Sequence, residues 1–346
     1  MSRIPASDLD EIISDRVVTW SALAGKTVLV TGAGGMLPSW LVATVQHLND
    51  RGLTPPARVV AVVRDAARAR ETLGDRLDRA DLDLVVGDVA DGVAWDGPVD
   101  FVIHAASPAS PRTYGTDPIG VIEPNVLGTT HLLRLAHARG ARLLFLSTSE
   151  VYGPSTGAIV ETAFGGVDPA TVRACYAESK RLGETLCVAW HHQRGVPAVI
   201  VRPFHTYGPT MRLDDGRVFA DLVACVAGGR DVALNSDGSA RRAFCYVTDA
   251  TVGFFLCLLH GEPGVAYNLG NPDAEVSVRE LAERLVGMVP ERGLKVTVKA
   301  MDPGYLQSAV ARVWPDIGRL RALGWSPRVG IDEGFRRVLT AFGGVA

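Results

Sequence analysis

Tyr176 and Lys180 stand four residues apart in Tyr-Ala-Glu-Ser-Lys, the spacing that puts two side chains on one face of a helix. A cation one turn from a phenol favours the phenolate. Such a phenolate takes the proton of an alcohol as its hydride leaves. Tyr-x-x-x-Lys also occurs by chance on surface helices, so a second signal has to support it. Ser147-Thr148-Ser149-Glu150 does so. It follows an apolar run, Leu143–Leu146, and from a strand end its hydroxyls can hold a substrate oxygen beside the phenol.

A second constellation is Thr31-Gly32-Ala33-Gly34-Gly35-Met36-Leu37-Pro38, between a β-branched run and a stretch of helical spacing. Gly32 and Gly35 let the backbone approach a pyrophosphate, and a helix starting near Met36 and Leu37 offers it free N–H groups. Pro38 stands where a third glycine is usual, tolerated because a first-turn N–H has no partner. A carboxylate commonly ends the second strand of such folds and holds the adenosine ribose of NAD. Here that point reads Val63-Arg64-Asp65. Arg64 either meets a ribose 2′-phosphate, as in NADP, or stacks on adenine, or is a solvated charge. Asp88 and Val89 close the third strand, within reach of an adenine. Nothing in the sequence has the spacing of a metal site.

These residues need a frame. Thr27–Thr31, Val59–Val63, Leu84–Val86, Phe101–His104, Leu143–Leu146 and Ala198–Val201 read as six strands. Leu37–Asn49, 119–139 and 175–194 read as helices. Continuous apolar strands alternating with helices predict a parallel sheet covered on both faces. Right-handed crossovers then make it an α/β, doubly wound Rossmann sheet. Residues 1–24 are expected to be an arm anchored by Ile12, Ile13, Val17, Val18 and Trp20. Residues 25–207, with part of 242–270, form the dinucleotide-binding domain. Past Gly208 the rhythm changes, and 208–346 is expected to be a smaller, partly interleaved substrate domain.

Composition limits the partners. The 346 residues carry 35 basic and 38 acidic side chains, a net charge of −3, so no basic surplus exists to neutralise a nucleic acid. No apolar run reaches the ~18 residues of a membrane span; the best, Val252–Leu259, stops at His260. Asp8, Asp10, Glu11, Asp15 and Arg16 occupy the place of a signal peptide's apolar stretch, so export is not expected. Cys175, Cys187, Cys225, Cys245 and Cys257 lack paired spacing and read as reduced thiols of a cytoplasmic protein.

Six segments together carry a resemblance: His104–Tyr114 (HAASPASPRTY), Ser147–Gly153 (STSEVYG), Arg173–Arg181 (RACYAESKR), Met211–Val218 (MRLDDGRV), Arg242–Asp249 (RAFCYVTD) and Tyr267–Pro272 (YNLGNP). Over roughly residues 25–340 the chain resembles the extended short-chain dehydrogenase/reductases that act on nucleotide sugars, and within them the UDP-glucuronic acid decarboxylases. The resemblance implies NAD as cofactor and Tyr176 as base. Lys180 would be its tuner and a ligand of the cofactor ribose, and Thr148 the clamp on the substrate hydroxyl. Ala105, Ala106, Ser107 and Arg202 would join the cofactor site. Glu150 matches the decarboxylase glutamate, and Arg242 the arginine near the sugar carboxylate. Ser107, Tyr114, Ser149, Arg173, His205 and Arg217 would border the nucleotide sugar, with Asn125 supporting the sheet edge. In Arg202-Pro203-Phe204-His205-Thr206-Tyr207-Gly208-Pro209, His205 departs from the asparagine usual in the family's R-x-x-N-x-Y/F-G-P motif. The implied reaction removes carbon dioxide from UDP-glucuronic acid, leaving UDP-xylose or the 4-keto pentose.

Sister reactions are the alternatives. A sugar 4,6-dehydratase carries an aspartate–glutamate pair where this chain has Ser149-Glu150, and a 4-epimerase typically lacks the glutamate. A plain NADP ketoreductase suits Arg64, and a catalytically silent dinucleotide-binding regulator keeps the fold without the chemistry. Helices 119–139 and 175–194 resemble the pair that forms a four-helix dimer interface in this family, which implies a homodimer.

Overall fold

A computed structural model describes residues 3–155, 157–298 and 312–344. Seven strands form one sheet: β1 (Thr27–Thr31), β2 (Arg58–Val63), β3 (Leu82–Val86), β4 (Phe101–His104), β5 (Arg142–Leu146), β6 (Ala198–Pro203) and β7 (Ala266–Leu269). They lie in the order β7-β6-β5-β4-β1-β2-β3, and every neighbouring pair is parallel. The apolar runs follow from this. Val28 and Val30 point into one core, while Leu29 between them points into the other, as the two-residue period requires. Both faces are covered, so no position of β1 is left to water. The order of the strands reverses between β1 and β4, and such a switch point opens a crevice at the carboxyl ends of the strands.

The run expected to be one helix at 119–139 is three consecutive helical pieces. Pro118–Glu123 leads into a π-helical turn, Pro124–Gly128, and then Thr129–Arg139. Asn125, expected to support the sheet edge, joins two helices instead. Its Nδ2 donates to the Val121 carbonyl at 2.9 Å and to Ser179 Oγ at 3.0 Å. The second helix, Cys175–Arg194, runs as the sequence predicts and ends on left-handed Gly195. The apolar segment Val252–Leu259 lies in a largely buried helix, Val247–His260, packed on β5 and β6. No helix among the described residues is long and apolar enough to cross a membrane.

A second sheet gathers short strands from distant places. Residues 241–246 pair with 205–207, 275–277 and 312–315, and the last of these pairs with 158–159. The two units are therefore interleaved, since 158–159 leaves the first for the second. The N-terminal arm is a helix, Ala6–Ser14, with Leu9 and Ile12 buried. Asp8 on it accepts hydrogen bonds from Tyr246 Oη (2.6 Å) and Arg337 Nη1 (3.1 Å), tying the arm to the C-terminal helix Ile331–Ala341.

Candidate active site

The crevice is a cleft of about 1050 Å³. Its walls include Gly32, Gly35, Met36, Arg64, Asp88, Val89, Ala105, Ala106, Ser107 and Arg217. Leu37 lies on the same helix but not on the cleft wall. Gly32 has a φ of 67°, and a Cβ there would sit 2.8 Å from the Ala106 Cα. Gly34 approaches the helix after β2 equally closely, with a Cβ position 2.8 Å from the Ala69 Cα. The helix Met36–Asp50 begins at Gly35 without a side-chain cap, leaving its first N–H groups for an anion.

Below these loops lies a network absent from the sequence reading. Thr31 Oγ1 accepts the amides of Ala105 and Ala106, each at 3.1 Å. Its own proton therefore goes to His104 Nδ1, 2.9 Å away. That assigns the ring proton to Nε2, which donates to the Pro124 carbonyl in the π turn at 3.1 Å. Burial and the neighbouring Lys180 charge hold this imidazole neutral, its pKa down at about 3. One buried histidine thus joins the floor of the cleft to the helix behind it. Segment 105–117, which contains the short helix Pro111–Thr116, and loop 208–217 are also clasped together. Arg217 Nη2 donates to the Ala109 carbonyl at 3.3 Å, and Arg112 Nη1 to that of Asp214 at 2.8 Å.

The second group surrounds Tyr176. The tyrosine is 6% exposed, and the Thr148 hydroxyl is among the groups that favour its phenolate. Tyr114 stacks on it, ring centroids 5.0 Å apart and planes 15° from parallel. The Arg173 guanidinium covers the other ring, 4.7 Å from the Tyr114 centroid, and its Nη2 donates to Glu150 Oε2 at 2.8 Å. Glu150 and Ser149 share the short turn Ser149–Tyr152, which Thr148 caps. Burial, and then the Glu150 charge, push the Tyr176 phenol up to about 12; the Thr148 hydrogen bond, Arg217 and Arg173 act the other way.

Lys180, the expected tuner of this phenol, makes a backbone contact on β5. Lys180 Nζ donates to the Leu146 carbonyl at 2.6 Å, and the groups that lower the phenol are Thr148, Arg217 and Arg173. Burial brings the ammonium itself down to about 7, against the pull of Glu184. Arg202 also stands apart from its expected place. Both its Nε and Nη2 donate to the Glu184 carboxylate, at 2.8 and 2.6 Å. It is not on the cleft wall. The side chain is consumed in a largely buried ion pair and shapes the site from behind.

His205 lies in the short strand His205–Tyr207, beside Phe244. Burial, then Arg242 and Arg217, lower its imidazole to about 3, so a neutral ring stands among guanidiniums. Arg242, on the adjacent strand, donates from Nη1 to the Arg241 carbonyl at 2.7 Å. Among the described residues, Ser107 Oγ, Tyr114 Oη and His205 Nδ1 are buried without a hydrogen-bond partner in the protein. Buried polar atoms of that kind are satisfied by a ligand or water. Together with the glycine cradle they fit a dinucleotide and a polar second ligand. The contacts the sequence reading missed, Thr31–His104 and Arg202–Glu184, join residues 73 and 18 positions apart, and no local pattern announces them.

Residues 28–270 match the model of the NAD dependent epimerase/dehydratase family. UDP-glucuronic acid decarboxylase 6 of Arabidopsis thaliana is 35% identical over 89% of this chain and 86% of its own length. UDP-glucuronic acid decarboxylase 1 of Danio rerio is 33% identical over 92% of this chain and 72% of its own. Among solved structures, the UDP-glucuronic acid 4-epimerase of Bacillus cereus, in complex with UDP-glucuronic acid and NAD, superimposes with a TM-score of 0.78. It is 23% identical and covers 91% of this chain and 98% of its own. The dTDP-glucose 4,6-dehydratase of Streptomyces venezuelae, with NAD bound, gives 0.76 at 25% identity over 91% and 96%.

Proposed function

The chain belongs to the NAD dependent epimerase/dehydratase family, and from that premise we propose that it decarboxylates UDP-glucuronic acid by way of a 4-keto intermediate. The observation that carries this reading is the turn after β5. It sets one carboxylate, Glu150, with Thr148 and no second acid, against the buried phenol of Tyr176. The identity to the Arabidopsis and Danio decarboxylases supports it over most of the chain.

The cofactor is NAD. The cleft residues fit it: the Gly32–Gly35 turn and the uncapped helix would hold the pyrophosphate, and Ser107, Ala105 and Ala106 would line the path to the nicotinamide. When bound, it accepts a hydride and later returns it. Tyr176 takes the proton of the sugar C4 hydroxyl, which Thr148 orients. The C4 hydride leaves and a ketone forms. The carboxylate is then β to a carbonyl. Breaking the C5–C6 bond sends its electron pair toward the C4 oxygen, where Tyr176 and Thr148 hold the enolate. Glu150, or a water that it orders, supplies the proton that adds at C5, and return of the hydride and of the Tyr176 proton regenerates the alcohol. Arg242 and Arg217, whose charges both act on the His205 ring, would receive the carboxylate and diphosphate charges. Lys180 anchors the helix of Tyr176 to β5 through Leu146.

A 4-epimerase is the second reading, favoured by the fold shared with the Bacillus cereus enzyme. Product analysis separates the two, because epimerisation keeps the carbon that decarboxylation removes. We also read the protein as a cytoplasmic homodimer. Ile119, Ile122 and Leu127 on one helical run, and Leu182 and Val188 on the next, are large apolar side chains left exposed, an area suited to a second copy. The five free cysteines, four of them buried, suit a reducing compartment.

A further inference from the structure

Arg64 lines the cleft, yet the chemistry above gives it no task. We propose that the adenosine end of the cleft accepts a ribose 2′-phosphate as well as a 2′-hydroxyl, so that the protein binds NADP alongside NAD. The inference rests on a dinucleotide in this cleft and not on the identity of the sugar.

In dinucleotide folds a carboxylate at the end of the second strand accepts the ribose hydroxyl, and it repels a phosphate there. β2 ends at Val63, and the next side chain is a guanidinium. The adjacent carboxylate, Asp65, also lines the cleft, with one of its oxygens engaged. Asp65 caps the helix Ala66–Leu73, its Oδ1 accepting the Arg68 amide at 3.0 Å. Arg68 also lines the cleft, and among the described residues its guanidinium has no ion-pair partner. Arg64 is held by one long contact, Nη1 to Asp88 Oδ2 at 3.4 Å, with 55% of its side chain exposed. Asp88 is itself occupied, accepting the Ala90 amide on Oδ1 at 2.9 Å.

The other charges at this end are Glu71, Arg3, whose guanidinium covers the Phe342 ring, and Arg212, paired through two hydrogen bonds with Asp214. The position after β2 thus carries a guanidinium in place of the repelling carboxylate, with a second guanidinium, Arg68, on the same cleft wall. Guanidinium groups match phosphate oxygens in pairs. A reaction that returns its hydride has no need to choose between the cell's two nicotinamide pools, so nothing in the proposed cycle opposes this tolerance.

Isothermal titration of the full-length protein tests it, with adenosine 2′,5′-bisphosphate against AMP and NADP⁺ against NAD⁺. Each phosphorylated ligand should bind within about tenfold of its partner or more tightly, and a deficit beyond about tenfold overturns the proposal. Arg64→Asp restores a carboxylate at this point. It should weaken the bisphosphate and NADP⁺ by roughly 10- to 100-fold while AMP and NAD⁺ stay within about threefold. An equal loss for all four ligands would mean that Arg64 stacks on adenine, and the phosphate site would be refuted.

Discussion

A base must give up its proton before it can take another, and at Tyr176 the surroundings oppose that. Burial and Glu150 raise the phenol to about 12, with Thr148, Arg217 and Arg173 pulling it back. Three outcomes follow at this scale. Tyr176→Phe should lose about 10²- to 10⁴-fold in the first hydride transfer, read as NADH absorbance on mixing with UDP-glucuronic acid. Glu150→Gln should still form NADH but slow carbon dioxide release. Removing that negative charge lowers the cost of the phenolate, so the rising limb of NADH formation against pH should move to lower pH. An unmoved limb, or pentose formation at the wild-type rate, would remove Glu150 from the mechanism. Arg202→Met leaves the buried Glu184 carboxylate without its guanidinium partner. It should cost roughly 3 kcal/mol in urea unfolding while NAD affinity of the folded protein is kept. A selective loss of NAD affinity would return Arg202 to the cofactor site.

Elements place these side chains, and some elements declare themselves in the sequence better than others. Thr27–Thr31 is legible because a strand buried on both faces leaves an unbroken apolar run. The helix Cys175–Arg194 is legible from its length and its closing glycine. The second sheet is not. Its strands 158–159, 205–207 and 275–277 are two or three residues long, and their pairing is set by partners far along the chain. The same holds within the site. The spacing of Tyr176 and Lys180 reveals a shared helix face, but Lys180 turns to the Leu146 carbonyl because a buried ammonium must find an acceptor. The turn between β1 and its helix admits a direct test. Gly32→Ala forces a Cβ to within 2.8 Å of the Ala106 backbone in a left-handed conformation. It should weaken NAD binding by more than about tenfold in a calorimetric titration while the protein stays folded. Unchanged affinity would show that this turn does not carry the pyrophosphate.

For the whole molecule, the seven-stranded sheet and the clasp between segments 105–117 and 208–217 bound one cleft, whose wall carries the Gly32–Gly35 turn. The exposed apolar face outside it argues for a second copy. Leu127→Glu with Leu182→Glu should convert a dimer to a monomer in sedimentation velocity; a monomeric parent protein would refute that face as an interface. The central claim concerns carbon–carbon bond cleavage, and one measurement reaches it most directly. Purified protein is incubated with UDP-glucuronic acid, and the products are followed by NMR and mass spectrometry. The account predicts loss of carbon dioxide to give UDP-xylose, or the UDP-4-keto pentose. UDP-galacturonic acid as the sole product, with the carboxyl carbon retained, would contradict it.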